Sequence, residues 1–170
     1  MDVKKQCLSV YKQAFDECIP FEERLFDEAF ECCRYITVDG KAASILFALP
    51  CFIEKKEKRI DAVYIFAAAT EKSHRKKGLM ARLLEEAKKE FDGVIFLRPA
   101  SGELVEYYKK FGFKEICGIA SKEVYPKVKP TEVLESISQG FADESGEEFT
   151  LMYYSETEEL QSLGFIYSME

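Results

Sequence analysis

Residues 70–81 place Lys72, Arg75, Lys76 and Lys77 immediately before Gly78, and no other stretch of the chain points so directly to a ligand. An apolar strand is expected over residues 62–69. A helix then opens at Gly78, with Leu79, Met80, Leu83, Leu84, Ala87 and Phe91 on one face. The first turn of a helix carries backbone N–H groups without intrahelical partners and the positive end of the macrodipole. Strand, basic loop and helix start, in that order, therefore suit a phosphate. A glycine at the turn lets an anion come close to the backbone. A merely solvated loop carries similar charge, but its place between a strand and a helix favours a discrete phosphate ligand.

The pattern Arg75-x-x-Gly78-x-Met80 resembles the acetyl-CoA pyrophosphate loop of the GCN5-related N-acetyltransferases, [R/Q]-x-x-G-x-[G/A]. An apolar strand over residues 94–97 and a short helix follow, ending in Glu106-Tyr107-Tyr108-Lys109-Lys110-Phe111-Gly112-Phe113. That ending is similar to the family's Y-x-K-x-G-F signature, and the order and spacing of the two motifs agree. The resemblance is close over residues 60–115. The wording around Ala69-Thr70 and residues 97–101 is most similar to the N-terminal acetyltransferase domain of Eis-type enzymes.

The resemblance implies an acetyl-CoA-dependent N-acetyltransferase in which a primary amine attacks the thioester directly. Arg75, Lys76, Lys77, Gly78, Leu79, Met80 and Ala81 would hold the pyrophosphate, mainly through backbone N–H groups. Met80 departs from the family's small residue, so its side chain must turn toward the core. Ala68, Ala69 and Thr70 would offer backbone groups to the thioester carbonyl and pantetheine, an oxyanion-type contact. Tyr108 matches the family's general acid for the leaving thiolate; Tyr107 competes for the role, and an amphipathic helix would bury such a tyrosine anyway. Ser101 stands where many members carry an asparagine that bonds the pantetheine arm, and it is equally suited to cap a helix. The base is not legible. Tyr64 occupies the position of the histone-type members' glutamate, while Glu22, Glu28, Glu54 and Glu170 are candidates that nothing separates. A non-catalytic acyl-CoA-binding or sensing module is the alternative.

Several elements must position these residues. Apolar spacing predicts a helix over residues 3–17 with Cys7, Leu8, Tyr11 and Phe15 on one side. A second helix, started by Pro20, aligns Leu25, Phe26, Ala29, Phe30 and Cys33. Residues 34–38 and 41–53 flank Asp39-Gly40 as a hairpin, residues 55–59 form a charged turn, and residues 60–69 form the next strand. After the second motif come a strand over residues 113–124, a short helix within residues 126–140 and a strand over residues 149–154. Helical spacing in the second motif puts Leu104, Tyr108 and Phe111 on one face. The apolar tail, residues 160–167, can pack on its own domain or on a partner, a homodimer included. The expected fold is α+β: a single domain over residues 1–170 with a mixed central sheet and helices on both faces.

A chain of 170 residues fits one domain with a sizeable core. The net charge of −7 speaks against nonspecific nucleic-acid binding and suits a cationic amine acceptor. The longest apolar run, residues 62–69, falls far short of the roughly 20 needed to span a bilayer. Nothing resembles a signal peptide, and the cytosol is the expected compartment. Cys7, Cys18, Cys32, Cys33, Cys51 and Cys117 show no C-x-x-C pair, and most sit among apolar neighbours, as reduced buried thiols do. With His74 as the sole histidine, no zinc-type spacing exists and no metal is expected. His74 also lies in the phosphate loop, away from any serine- or cysteine-centred hydrolytic pattern.

Overall fold

The computed structural model describes residues 2–15, 19–55, 58–119, 148–157 and 166–168. The expected helix within residues 126–140, the end of the strand expected over residues 113–124, most of the tail, Cys18 and Glu170 lie outside them. Two compact units divide the chain: Met1–Ala48 with Ile65–Glu90, and Leu49–Tyr64 with Phe91–Glu170.

The first unit opens with helix α1 (Val3–Ala14), whose N-cap Asp2 accepts from the Lys4 backbone N–H at 3.3 Å. Cys7, Val10 and Tyr11 are its buried residues. The helix stops at Ala14 because Phe15 is extended (φ −124°, ψ 127°), earlier than the apolar spacing suggests. The Phe15 ring still packs on Tyr11, with centroids 4.8 Å apart. Helix α2 (Ile19–Ala29) buries Leu25, Phe26 and Ala29. Phe30 falls in a 3-10 turn (Phe30–Cys32), and Cys33 begins strand β1 (Cys33–Val38) rather than continuing the helix. A buried first strand residue happened to extend the helical spacing.

Phe26 links α1 and α2 to the sheet. Its ring lies 5.7 Å from Tyr11 and 5.2 Å from Phe47 on strand β2 (Lys41–Lys55), edge-on to both. Strands β1 and β2 form the expected hairpin, paired from Cys33↔Phe47 to Val38↔Lys41. Its two-residue turn puts both Asp39 (φ 50°) and Gly40 (φ 74°) in the left-handed region, as a type I′ turn requires. Arg34 of β1 forks onto Glu90, with Nη2 2.6 Å from Oε1, and so ties down the end of helix α3 (Leu79–Glu90). Cys7, Cys32 and Cys33 are buried free thiols. The hydrogen bond with Cys7, together with burial, raises the Cys33 thiol well above the ordinary range.

The second unit holds the continuation of β2, most of strand β3 (Lys58–Thr70), strand β4 (Val94–Leu97), helix α4 (Gly102–Lys109), and strands β5 (Lys114–Ile119), β6 (Glu148–Tyr154) and β7 (Ile166–Ser168). All four β4 residues are buried, as a continuous apolar run on a central strand requires. Antiparallel β6 joins β4 to β5, and β7 adds to β2 at Phe52↔Ser168. The tail therefore contributes a short strand where the sequence indicated only an apolar segment.

Hydrogen-bonded neighbours run β1-β2-β3-β4-β6-β5, with β7 on β2. Strands β3 and β4 are neighbours separated in sequence by α3, the connection that joins parallel strands. The sheet is mixed and the class is α+β. Of the three residues that helical spacing puts on one face, Leu104 is exposed, and Phe111 lies beyond the end of α4. With only two turns, α4 buries Tyr108 and half-buries Val105.

Candidate functional site

The residues singled out by sequence fall in both units. In the first, β3 delivers Ala68, Ala69 and Thr70 to the loop, but the strand is not regular. Ala67 sits at φ 53°, a left-handed conformation that costs an L-residue roughly 1–2 kcal/mol. Ala68 and Thr70 are half-buried, and Ala69 is buried. Ser44 of β2, completely buried, fixes this end of the strand. Its Oγ donates to the Ala69 carbonyl at 3.3 Å and lies 2.9 Å from Thr70 Oγ1. The Glu71 N–H then bonds the Ala43 carbonyl at 2.8 Å, which closes the ladder.

The loop begins as a 3-10 turn (Lys72–His74) that Glu71 caps. The Glu71 carboxylate accepts from the Ser73 N–H at 3.1 Å and from the Ser73 hydroxyl, and it pairs with His74 Nδ1 at 2.7 Å. These bonds, the Ser73 hydroxyl first, hold the Glu71 carboxyl below the usual range. Arg75 Nε donates to the Thr70 carbonyl at 3.1 Å, so its guanidinium helps to staple the loop.

Lys76 (φ 60°) and Gly78 (φ 78°) both adopt left-handed backbone, the kind of turn that collects successive N–H groups into an anion-binding concavity. The α3 ladder starts with Arg82 N–H to the Gly78 carbonyl at 3.0 Å. The N–H groups of Leu79, Met80 and Ala81 precede that bond and are available at the helix end. Lys72, Arg75, Lys76, Lys77 and Gly78 are all exposed. A Cβ at Gly78 would meet no atom within 4 Å, so the space beside this backbone is open. Leu83, Leu84 and Ala87 anchor α3 in the core, while Leu79 and Met80 are half-buried. The arrangement can bind a di-anionic phosphate group through backbone, with lysines around it.

In the second unit, Ser101 is the N-cap of α4, its Oγ accepting from the Leu104 N–H at 3.4 Å. It also lines an open cleft of about 520 Å³ with Arg98, Val105 and Glu106. Tyr108 is buried between rings, 5.5 Å from Tyr107 and 5.9 Å from Phe113. Burial, and secondarily Tyr107, pushes its phenol up to about 12. Tyr108 is therefore a protonated donor throughout the physiological range. Tyr107 is half-buried, and burial raises its phenol as well.

The carboxylates weighed as bases now separate. Tyr64 is a core residue stacked on Phe96 at 5.0 Å and offers no carboxylate. Glu28 is half-buried, and Glu22 is buried. The Glu54 side chain and Glu170 lie outside the description. Among the described residues, no group of three or more His, Cys, Asp or Glu could hold a metal ion, and no helix is long and apolar enough to cross a membrane. Sequence reasoning missed Ala67, Ser44 and Glu71. Ser44 left one trace, a lone hydroxyl inside the apolar β2 run; an alanine at positive φ leaves none.

Residues 2–116 match the family model described as an acetyltransferase (GNAT) domain. Among solved structures, the chain is similar to the GCN5-related N-acetyltransferase from Kribbella flavida (TM-score 0.57, 14% identity), covering 71% of this chain and 35% of that one. It is also similar to the N-acetyltransferase YlbP of Bacillus subtilis, solved with coenzyme A (TM-score 0.51, 16% identity), covering 88% and 90%. A third is Eis1 from Mycobacterium abscessus (TM-score 0.50, 13% identity), covering 75% and 33%. The chain thus spans about a third of the length of the Kribbella and Mycobacterium proteins. No curated protein matches it. With both motifs in place and the family model covering more than half of its residues, the chain belongs to the GNAT acetyltransferase family.

Proposed function

We propose that the protein transfers an acetyl group from acetyl-CoA to a primary amine. The observation that carries this reading is the backbone cradle at Lys76–Ala81, a nest and helix end set in exposed positive charge within an acidic protein. The coenzyme A bound in the Bacillus subtilis relative supports the same choice of ligand. In this reading the pyrophosphate rests on the N–H groups of residues 76–81, and the thioester lies along Ala68–Thr70. The amine nitrogen attacks the thioester carbonyl, the C–N bond forms and the C–S bond breaks. Tyr108 gives its phenolic proton to the departing thiolate, the proton lost by nitrogen passes to water, and the phenolate is reprotonated from water. The Tyr108 phenol, raised to about 12 by burial, is protonated before transfer.

The test is release of free thiol from acetyl-CoA with a panel of primary amines. Acetyl-CoA-dependent, amine-dependent thiol release is expected. Tight coenzyme A binding with no thiol release from any amine would instead identify an acyl-CoA-binding module.

A further inference from the structure

Glu22 and Ser44 are the buried polar residues among those described, and Ser44 is satisfied by its bonds to Ala69 and Thr70. Glu22 is not. It is 3% exposed, and its Oε2 accepts no hydrogen bond among the described residues. Among the described residues, Lys12 Nζ on α1 pairs with it across 3.7 Å to Oε2, from a side chain that is 43% exposed. That separation gives charge attraction without a hydrogen bond. A desolvated carboxylate is costly unless it is both paired and hydrogen-bonded, and a lysine reaching in from solvent supplies only part of this.

The location narrows what could complete the pairing. Glu22 precedes Phe26 by four residues in α2 and so shares its face. Phe26 meets the sheet at Phe47 of β2, ring centroids 5.2 Å apart. Strand β2 is the neighbour of β3, which ends in the kinked Ala67–Thr70 segment. The unpaired oxygen thus lies on the face of α2 that carries Phe26 and meets Lys12 of α1, in the same compact unit as the basic turn before α3.

We infer that Glu22 receives a cationic group of the acceptor, and that Lys12 is the intramolecular stand-in which that group displaces. The acceptor class is an aliphatic amine bearing a second ammonium, with one nitrogen held by Glu22 and the other acetylated. The inference rests on the acetyltransferase reading proposed above.

The experiment compares an aliphatic diamine with the amino alcohol of equal chain length, in wild type, Glu22→Gln and Lys12→Met. Wild type should favour the diamine in kcat/KM. Glu22→Gln keeps the shape and removes the charge, so the diamine KM should rise roughly tenfold or more, the size expected for losing a charge-assisted bond. The amino alcohol KM and acetyl-CoA affinity should change little, and the thermal midpoint should not fall, since a costly buried charge is removed. Lys12→Met removes the stand-in and should lower the diamine KM. A Glu22→Gln enzyme that keeps the diamine preference, or that loses acetyl-CoA affinity and stability in parallel, overturns the inference. Calorimetric titration of the free protein with the diamine alone separates this outcome from failure of the acetyltransferase reading. Binding that Glu22→Gln abolishes supports the site even if no amine is acetylated, and absence of binding to wild type removes it.

Discussion

Gly93, immediately before β4, gives the sharpest structural prediction. Its φ is +105°, and a Cβ there would lie 2.7 Å from the Asp61 carbonyl oxygen of β3. A strained φ of this kind costs an L-residue about 1–3 kcal/mol. The contact is with backbone, so no side chain can swing away, and forcing the atoms apart adds about 1–3 kcal/mol. Alanine stiffens the unfolded chain and returns about 0.4–1 kcal/mol. Gly93→Ala should therefore lose about 1–6 kcal/mol, a fall in melting temperature on the order of 2–20 °C for a chain of this size. Gly78→Ala is the matched control. Its φ is +78° but its Cβ would meet nothing within 4 Å, so only the conformational term applies. Urea unfolding followed by circular dichroism measures both. Equal losses in the two variants, or a Gly93→Ala protein within about 0.5 kcal/mol of wild type, would refute the reasoning, because such a change is typical of an unremarkable surface site.

Other outcomes follow from the site. Tyr108→Phe should keep the ring packing and lower turnover roughly 10²- to 10⁴-fold with acetyl-CoA affinity intact, while Tyr107→Phe should be nearly silent; a wild-type rate in Tyr108→Phe with chemistry rate-limiting would make Tyr108 a core residue only. Since the folded phenol of Tyr108 is raised to about 12, its stabilising contribution is complete below the unfolded value near 10 and is lost as pH climbs through about 12. The stability difference between wild type and Tyr108→Phe should accordingly stay flat to about pH 10 and then shift against wild type, whereas a change already evident between pH 7 and 9 would contradict the burial of this phenol. Ser44→Ala removes one buried hydroxyl with two partners, so a loss of about 1–2 kcal/mol with weaker acetyl-CoA binding is expected, and unchanged binding would mean that the Ala69–Thr70 end needs no such anchor.

The parts of the fold legible in the sequence are those where one local signal decides the structure. Asp39-Gly40 fixed the hairpin because few dipeptides tolerate two successive positive φ angles. The run Val94–Leu97 was a buried strand because four apolar residues between polar ends leave little else. The exposed basic turn before α3 was readable because glycine and clustered cations are local features. The misplacements came where tertiary context prevailed. Cys33 continued the spacing of α2 yet paired with Phe47, and Leu104 matched a helical face that a two-turn helix does not bury. The Ala67 kink, the Ser44 anchor and the buried carboxylate of Glu22 depend on neighbours distant in sequence, so composition and periodicity carry no sign of them.

The central claim is that the backbone at Gly78 receives the pyrophosphate of acetyl-CoA. Isothermal titration of acetyl-CoA into wild type and Gly78→Glu tests it most directly. The glutamate has room in the free protein, since nothing lies within 4 Å of its Cβ, so the variant should fold with only the modest cost of its φ. Its carboxylate would then stand where the pyrophosphate must rest. Saturable binding to wild type and none to folded Gly78→Glu is the predicted result. No binding to wild type, or equal binding to both, would contradict the account.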